Sequence, residues 1–144
     1  MIVSPEIEYF VDTNILVYAY DLSAGIKHSV AVELMEGWWE YRNGCISIQI
    51  LQEFYVTITR KITLPVEGTI ARQLVADLAQ WRLHSPQIND LLEAIDFQQT
   101  HRLSFWDAMA LQSAARMGCG KFVSEDLGHL QKYGELEVIN PFVE

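Results

Sequence analysis

Ile7-Glu8-Tyr9-Phe10-Val11-Asp12-Thr13-Asn14-Ile15-Leu16-Val17 decides how the rest of the chain is read. Ile7 to Val11 is a mostly apolar run short enough for a buried strand, and it gives way to Asp12-Thr13-Asn14, three residues of helix-capping type. Ile15-Leu16-Val17 then begin a short helix expected to reach about Tyr20. A strand that ends on a carboxylate at a helix N-terminus is the opening of a βαβ unit.

The remaining segments extend that pattern. His28 to Tyr41 spaces Val30, Ala31, Leu34, Met35 and Trp38 as a helix does, with a stop expected at Asn43-Gly44. Cys45 to Ile48 reads as a second strand, and Gln49 to Ile62 as a helix with Leu51, Phe54, Tyr55 and Ile58 on one face. Pro65 is expected to open another helix running to about Trp81, and Arg82 to Ser85 to form a third short strand. Pro86 starts a helix ending near His101, and Ser104 caps one from Phe105 to Met117 that Gly118 and Gly120 close. Lys121 to Ser124 reads as a strand, Leu127 to Tyr133 as a short helix and Leu136 to Ile139 as the last strand. Short strands alternating with helices predict an α/β fold with a mostly parallel sheet covered by helices on both faces. An all-helical chain is the competing reading, but four apolar runs bounded by turn residues are too short for helices.

Composition bounds the function. A chain of 144 residues with no Gly/Ser/Pro-rich linker reads as one domain, and 50% apolar content excludes general disorder. The longest apolar run, Ile15 to Tyr20, is far short of the ~20 residues of a membrane helix. Glu6 and Glu8 stand where a signal peptide would carry positive charge, so a cytoplasmic location is expected. Cys45 and Cys119 lie too far apart for a CxxC motif, and the four histidines lack the spacing of a helical zinc site. Nineteen acids against ten bases give a net charge of −9, which repels nucleic acid at long range. Action on a polyanion then requires a local reversal of the field, and a divalent cation supplies one.

Four acids sit where a solvated charge would not choose to be. Asp12 and Asp126 end strands, Glu53 lies early in the helix after the second strand, and Asp107 lies in the first turn of its helix. Each has a bland role available. Asp12 and Asp126 can cap helices, and Ser104-x-x-Asp107 has the spacing of a capping box. Their shared topology argues for more: in a parallel α/β sheet all four reach the carboxyl edge of the strands, where ligands bind. Four carboxylates cannot all stay ionised there unaided, and all-oxygen donors select a hard cation, Mg²⁺ or Mn²⁺, over zinc. Such an ion activates water for phosphodiester hydrolysis without a nucleophilic side chain, and no GxSxG, Cys–His or Walker motif is present.

Phe10-Val11-Asp12-Thr13-Asn14-Ile15-Leu16, the Glu53 helix, Ser104-Phe105-Trp106-Asp107-Ala108 and Val123-Ser124-Glu125-Asp126-Leu127 resemble a PIN domain in order and spacing. The resemblance covers nearly the whole chain, 1–144 as one domain, and the length resembles the VapC-type toxins of toxin–antitoxin systems. It implies a three-layer α/β fold and a metal-dependent endoribonuclease in which Asp12 and Asp107 are the principal Mg²⁺ (or Mn²⁺) ligands. Glu53 and Asp126 complete the acidic pocket as catalytic or metal-binding residues, and Asn14 and Ser124 support it by hydrogen bonds. The implied partners are an RNA substrate, a small cognate antitoxin and a second copy of the chain, with no membrane. Ser124 stands where Thr is frequent in the family, and Gly128 where some members carry a further acid.

The alternatives are a catalytically silent PIN-like scaffold that binds RNA or a protein partner, a receiver domain, and an aspartyl phosphatase. Asn14 in place of a second acid and Lys121 ahead of its strand disfavour the last two. Trp38-Trp39, Trp81 and Trp106 are expected in the core or an interface, with base stacking as the alternative role.

Overall fold

Tyr9–Val11 (β1) is buried at every residue, which requires a sheet covered on both faces. The computed structural model describes residues 1–143. After β1 come α1 (Thr13–Tyr18), a 3₁₀ turn at Leu22–Ala24, α2 (Ile26–Tyr41), β2 (Gly44–Ser47) and α3 (Ile48–Arg60). α4 (Gly68–Leu78), β3 (Arg82–His84), α5 (Ile88–His101), α6 (Phe105–Arg116), β4 (Lys121–Val123), β5 (Lys132–Tyr133) and β6 (Leu136–Ile139) complete the order. The sheet runs β3-β2-β1-β4-β6-β5, parallel throughout except for the β5–β6 hairpin. This is the α/β architecture expected, and the all-helical reading falls.

The centre of the sheet is β1 beside β4, in register from Tyr9–Lys121 to Val11–Val123. That register places Phe10 against Phe122, whose rings stack 5.3 Å apart, and both are buried. It also aligns the ends of the two strands, so the residues following Val11 and Val123 emerge side by side.

The main departures from expectation have local reasons. α2 ends at Tyr41 as expected, but the residue that ends it is Arg42, in the left-handed conformation (φ 53°), rather than Asn43-Gly44, and Gly44 already belongs to β2. Gly44 is needed for a close approach: a Cβ there would meet the Trp81 ring at 2.6 Å. Gly44→Ala is therefore expected to lower stability by roughly 1–3 kcal/mol, read as a fall in the denaturant midpoint, because Trp81 is itself wedged against Trp38. α4 starts at Gly68 rather than Pro65, since the Glu67 carboxylate caps the Thr69 and Ile70 amides. The helix expected over Leu127 to Tyr133 does not form. Leu130 takes a left-handed φ of 69° and Lys132–Tyr133 pairs with β6 through a turn at Gly134.

Cys45 and Cys119, remote in sequence, are neighbours in the fold. Both are buried free thiols, and the Cys45 thiol is pushed well up, chiefly by Cys119 and by burial.

Candidate active site

The carboxyl end of β1 supplies Asp12, which is 8% exposed. Its Oδ1 accepts from the Thr13 amide at 2.8 Å and so caps α1, leaving Oδ2 for other partners. The β1–β4 register brings Ser124 alongside, and its Oγ donates to Asp12 Oδ2 at 2.7 Å. Capping and site geometry thus coexist on one carboxylate.

Asn14, one turn-residue further on, gathers the other side. Its Nδ2 donates to Asp126 Oδ2 at 2.9 Å and lies 3.5 Å from Asp12 Oδ2. Asp126 caps no helix, because none follows it among the described residues; its amide donates to Ser124 Oγ at 3.1 Å. Asp12, Asn14, Ser124 and Asp126 therefore form one hydrogen-bonded cluster across β1 and β4.

Glu53 joins from α3. Its Oε2 accepts from Thr13 Oγ1 at 2.9 Å and its Oε1 from Gln49 Nε2 at 2.7 Å. Gln49 also donates to the Trp106 carbonyl at 3.0 Å, tying α3 to the first turn of α6. Thr13 and Gln49 went unnoticed in the sequence. Gln49 had a signal, since it stands four residues before Glu53 on the same helix face.

Asp107 occupies that first turn of α6. Ser104 Oγ accepts from the Asp107 amide at 3.2 Å, so half of a capping box is present. Among the described residues the reciprocal bond is absent and the Asp107 carboxylate has no hydrogen-bond partner. Its charge does reach Tyr133, whose phenol is pushed up first by burial and then by Asp107.

The electrostatic conflict is concentrated on Asp12. Burial raises its pKa to about 7 against the opposing Ser124 and Thr13 hydrogen bonds, and the charges of Glu53 and Asp126 add to the rise. No lysine, arginine or histidine pairs with Asp12, Glu53, Asp107 or Asp126 among the described residues; the nearest ion pair in sequence is Lys27–Glu125 at 2.8 Å. A cluster of oxygen donors with uncompensated negative charge suits a hard divalent cation. Among the described residues no three acidic, histidine or cysteine side chains already ring one point. Mg²⁺ tolerates that, since it is commonly held through one or two carboxylates while keeping its waters.

Beside the acids lies a cleft of about 500 Å³ between α3 and α6, lined by Gln49, Gln52, Glu53, Val56, Thr57, Lys61 and Trp106. Of the four tryptophans, Trp38 and Trp81 are buried as expected, whereas Trp39 is 41% exposed and Trp106 is 61% exposed and faces this cleft. His129 stays outside, exposed, accepting from the Asn140 amide at 3.0 Å.

Comparison with known proteins follows the same geometry. A toxin–antitoxin complex from Klebsiella pneumoniae superposes with a TM-score of 0.70 at 16% identity, over 94% of this chain and 98% of that one. VapC20 of Mycobacterium tuberculosis, a toxin that cleaves the sarcin-ricin loop, gives 0.60 at 18% identity over 80% and 87%. VapBC2 of Rickettsia felis, bound to a DNA fragment from its promoter, gives 0.62 at 14% over 90% and 96%. No curated protein sequence matches the chain significantly. At these identities the neighbours speak for the fold, and the sequence itself matches the PIN domain over residues 9–136, from β1 through the first residue of β6, so the chain belongs to the PIN domain family.

Proposed function

We propose that the protein is a divalent-metal-dependent endoribonuclease, the toxin of a toxin–antitoxin pair, with Asp12 and Asp107 as principal ligands of Mg²⁺ or Mn²⁺. The observation that carries the reading is a buried carboxylate, Asp12, pressed by two neighbouring acids with no basic side chain to neutralise them. Glu53 and Asp126 complete the acidic pocket, directly or through water. When bound, the ion lowers the pKa of a coordinated water and stabilises charge on the phosphate oxygens.

The chain's own residues do the rest. Ser124 and the Thr13 amide fix the two oxygens of Asp12 in place. Asn14 holds Asp126 and, on the opposite side, Thr13 and Gln49 hold Glu53, so that the acids keep their orientation without contacting one another. The N-terminus of α6, where Asp107 stands, favours negative charge and so tolerates both the carboxylate and an incoming phosphate. Structural likeness to toxin–antitoxin proteins supports a small cognate antitoxin as partner, and a homodimer and a cytoplasmic location complete the proposal. Among the described residues no helix is long and apolar enough to cross a membrane.

The test uses purified protein free of co-purifying partner and a mixed pool of structured RNA. Cleavage is expected in Mg²⁺ or Mn²⁺ and none in chelator. RNA binding is expected to weaken in chelator as well, because a net charge of −9 leaves the RNA no general attraction. Binding equally strong in chelator, with no cleavage under any condition, would favour a silent scaffold.

A further inference from the structure

The cleft beside Trp106 has contents that acid-held metal chemistry does not use. An indole 61% exposed is a large apolar face left in water, and single exposed apolar residues are common enough to need no explanation. Here, however, the face is built in. Phe105 meets the Trp106 ring edge-on at 4.9 Å, and Gln49, only 9% exposed, clamps the Trp106 carbonyl. The ring thus stands in a defined place, one residue before Asp107 and in the same cleft as Glu53.

The other end of the cleft carries a positive charge. Lys61 is the one cation lining it, is exposed, and forms no ion pair among the described residues. It follows the last turn of α3, eight residues beyond Glu53, or about 12 Å along a helix, which exceeds the span of one stacked nucleotide. In a strongly acidic protein this leaves one cation without an ion pair among the described residues in the cleft that Glu53 also lines. Gln52, Val56 and Thr57 form the wall between.

We propose that this cleft is a nucleobase subsite for single-stranded RNA: Trp106 stacks an unpaired base next to the cleaved phosphate, and Lys61 takes a backbone phosphate further along α3. An aromatic face accepts any base, because every base has a π-face, so the subsite selects unpaired nucleotides over paired ones rather than one sequence. Acidic chains gain little RNA affinity from charge, which makes stacking a large share of what remains. The inference rests on the ribonuclease reading above.

The test measures binding by the chain with all its acids intact, in Ca²⁺, a hard cation that takes oxygen ligands in a looser geometry than Mg²⁺, so that turnover does not intrude. The probe is a fluorescein-labelled octaribonucleotide pool of mixed sequence in Ca²⁺, followed by the same octamer with a single abasic position scanned along it. Adding Trp106→Ala is expected to raise Kd about tenfold to a hundredfold, and Trp106→Phe to stay within about threefold of the parent. Lys61→Ala is expected to weaken binding and flatten its salt dependence. At one position, loss of the base should weaken the Trp106 protein by the same factor as Trp106→Ala and leave the Ala variant unchanged. Thermal melts check that the exposed substitution leaves the fold intact. Equal binding by parent and Trp106→Ala, an abasic cost shared by both, or no binding by the parent overturns the proposal. Metal-dependent cleavage by the wild-type chain alongside an unaffected Trp106→Ala removes the subsite and leaves the nuclease standing.

Discussion

Stripped of divalent metal, the protein is expected to lose about 2–3 kcal/mol of stability as the pH rises from 5 to 8, because Asp12 titrates near pH 7 when folded and near 3.8 when unfolded. The sign follows from the direction of the shift. A raised carboxyl pKa means the folded chain binds the proton more tightly than the unfolded chain. Nothing is lost below about pH 4, where both states are protonated; the loss accumulates as the unfolded carboxyl ionises and is complete above pH 7. The causes are burial first, then the charges of Glu53 and Asp126, only partly offset by Ser124 and the Thr13 amide.

Three carboxyls shifted the other way act below that window. Glu67, Asp90 and Glu137 are held below their usual values by hydrogen bonds to the Thr69 backbone, the Gln87 backbone and Lys121, respectively. Their contribution has the opposite sign and is fully present above about pH 5, since both states are ionised there. The expected readout is a fall in Tm of about 5–10 °C across the window, for a chain of this size. Asp12→Asn should flatten the slope and melt higher than wild type at pH 8. Asp107→Asn should keep it, since Asp107 is not among the charges acting on Asp12. Added Mg²⁺ should stabilise the wild type more at pH 8 than at pH 5, because it competes with the proton for the same oxygens. A slope that survives Asp12→Asn would place the conflict elsewhere.

Much of this site was legible in the sequence because its positions are set by strand ends, and strand ends have local signals. Phe10-Val11-Asp12 and Val123-Ser124 mark two strands that run out on polar residues, and parallel pairing of those strands suffices to bring Asp12 and Ser124 together. Asp107 was equally readable, since Ser104 announces the helix that carries it. What escaped reading depends on side-chain partners or on backbone that no periodicity encodes. Thr13 holds Glu53 from another helix, 40 residues away in sequence, and Gln49, though four residues from Glu53 on the same helix, is fixed by the Trp106 carbonyl of α6. Leu130, a residue with no preference for left-handed backbone, turns the chain where a helix was expected, and Arg42 and Arg102 end helices in the same conformation. Only Gly134, in the turn between the paired Tyr133 and Leu136, hinted at the hairpin. Trp106 escaped for a different reason: helical spacing places Trp106 on a face but cannot say which face the core will cover. The same ambiguity holds for Trp38 and Trp39, adjacent on α2, of which only Trp38 is buried.

Asp12→Asn and Asp107→Asn are each expected to lower the RNA cleavage rate by at least about a thousandfold, and the double variant to be no slower than either single. The argument is one of shared purpose. In the proposed mechanism the two carboxylates hold the same ion, so removing either forfeits several kcal/mol of charge stabilisation, and removing the second has nothing left to forfeit. Two residues acting independently would instead multiply their losses. Glu53→Gln and Asp126→Asn are expected to be milder, about tenfold to a hundredfold, because each is already occupied by Gln49 and Thr13 or by Asn14 and acts at the margin of the pocket. Their deficit should shrink as Mg²⁺ is raised, whereas that of Asp107→Asn should not. The melting curves keep the comparison clean: Asp107 makes no side-chain hydrogen bond among the described residues and its amide remains capped by Ser104, so the Asn variant should unfold within about 0.5 kcal/mol of wild type. A double variant a thousandfold slower than the singles would separate the two carboxylates into different steps, and an Asp107→Asn that cleaves at the wild-type rate would leave α6 with nothing but its cap.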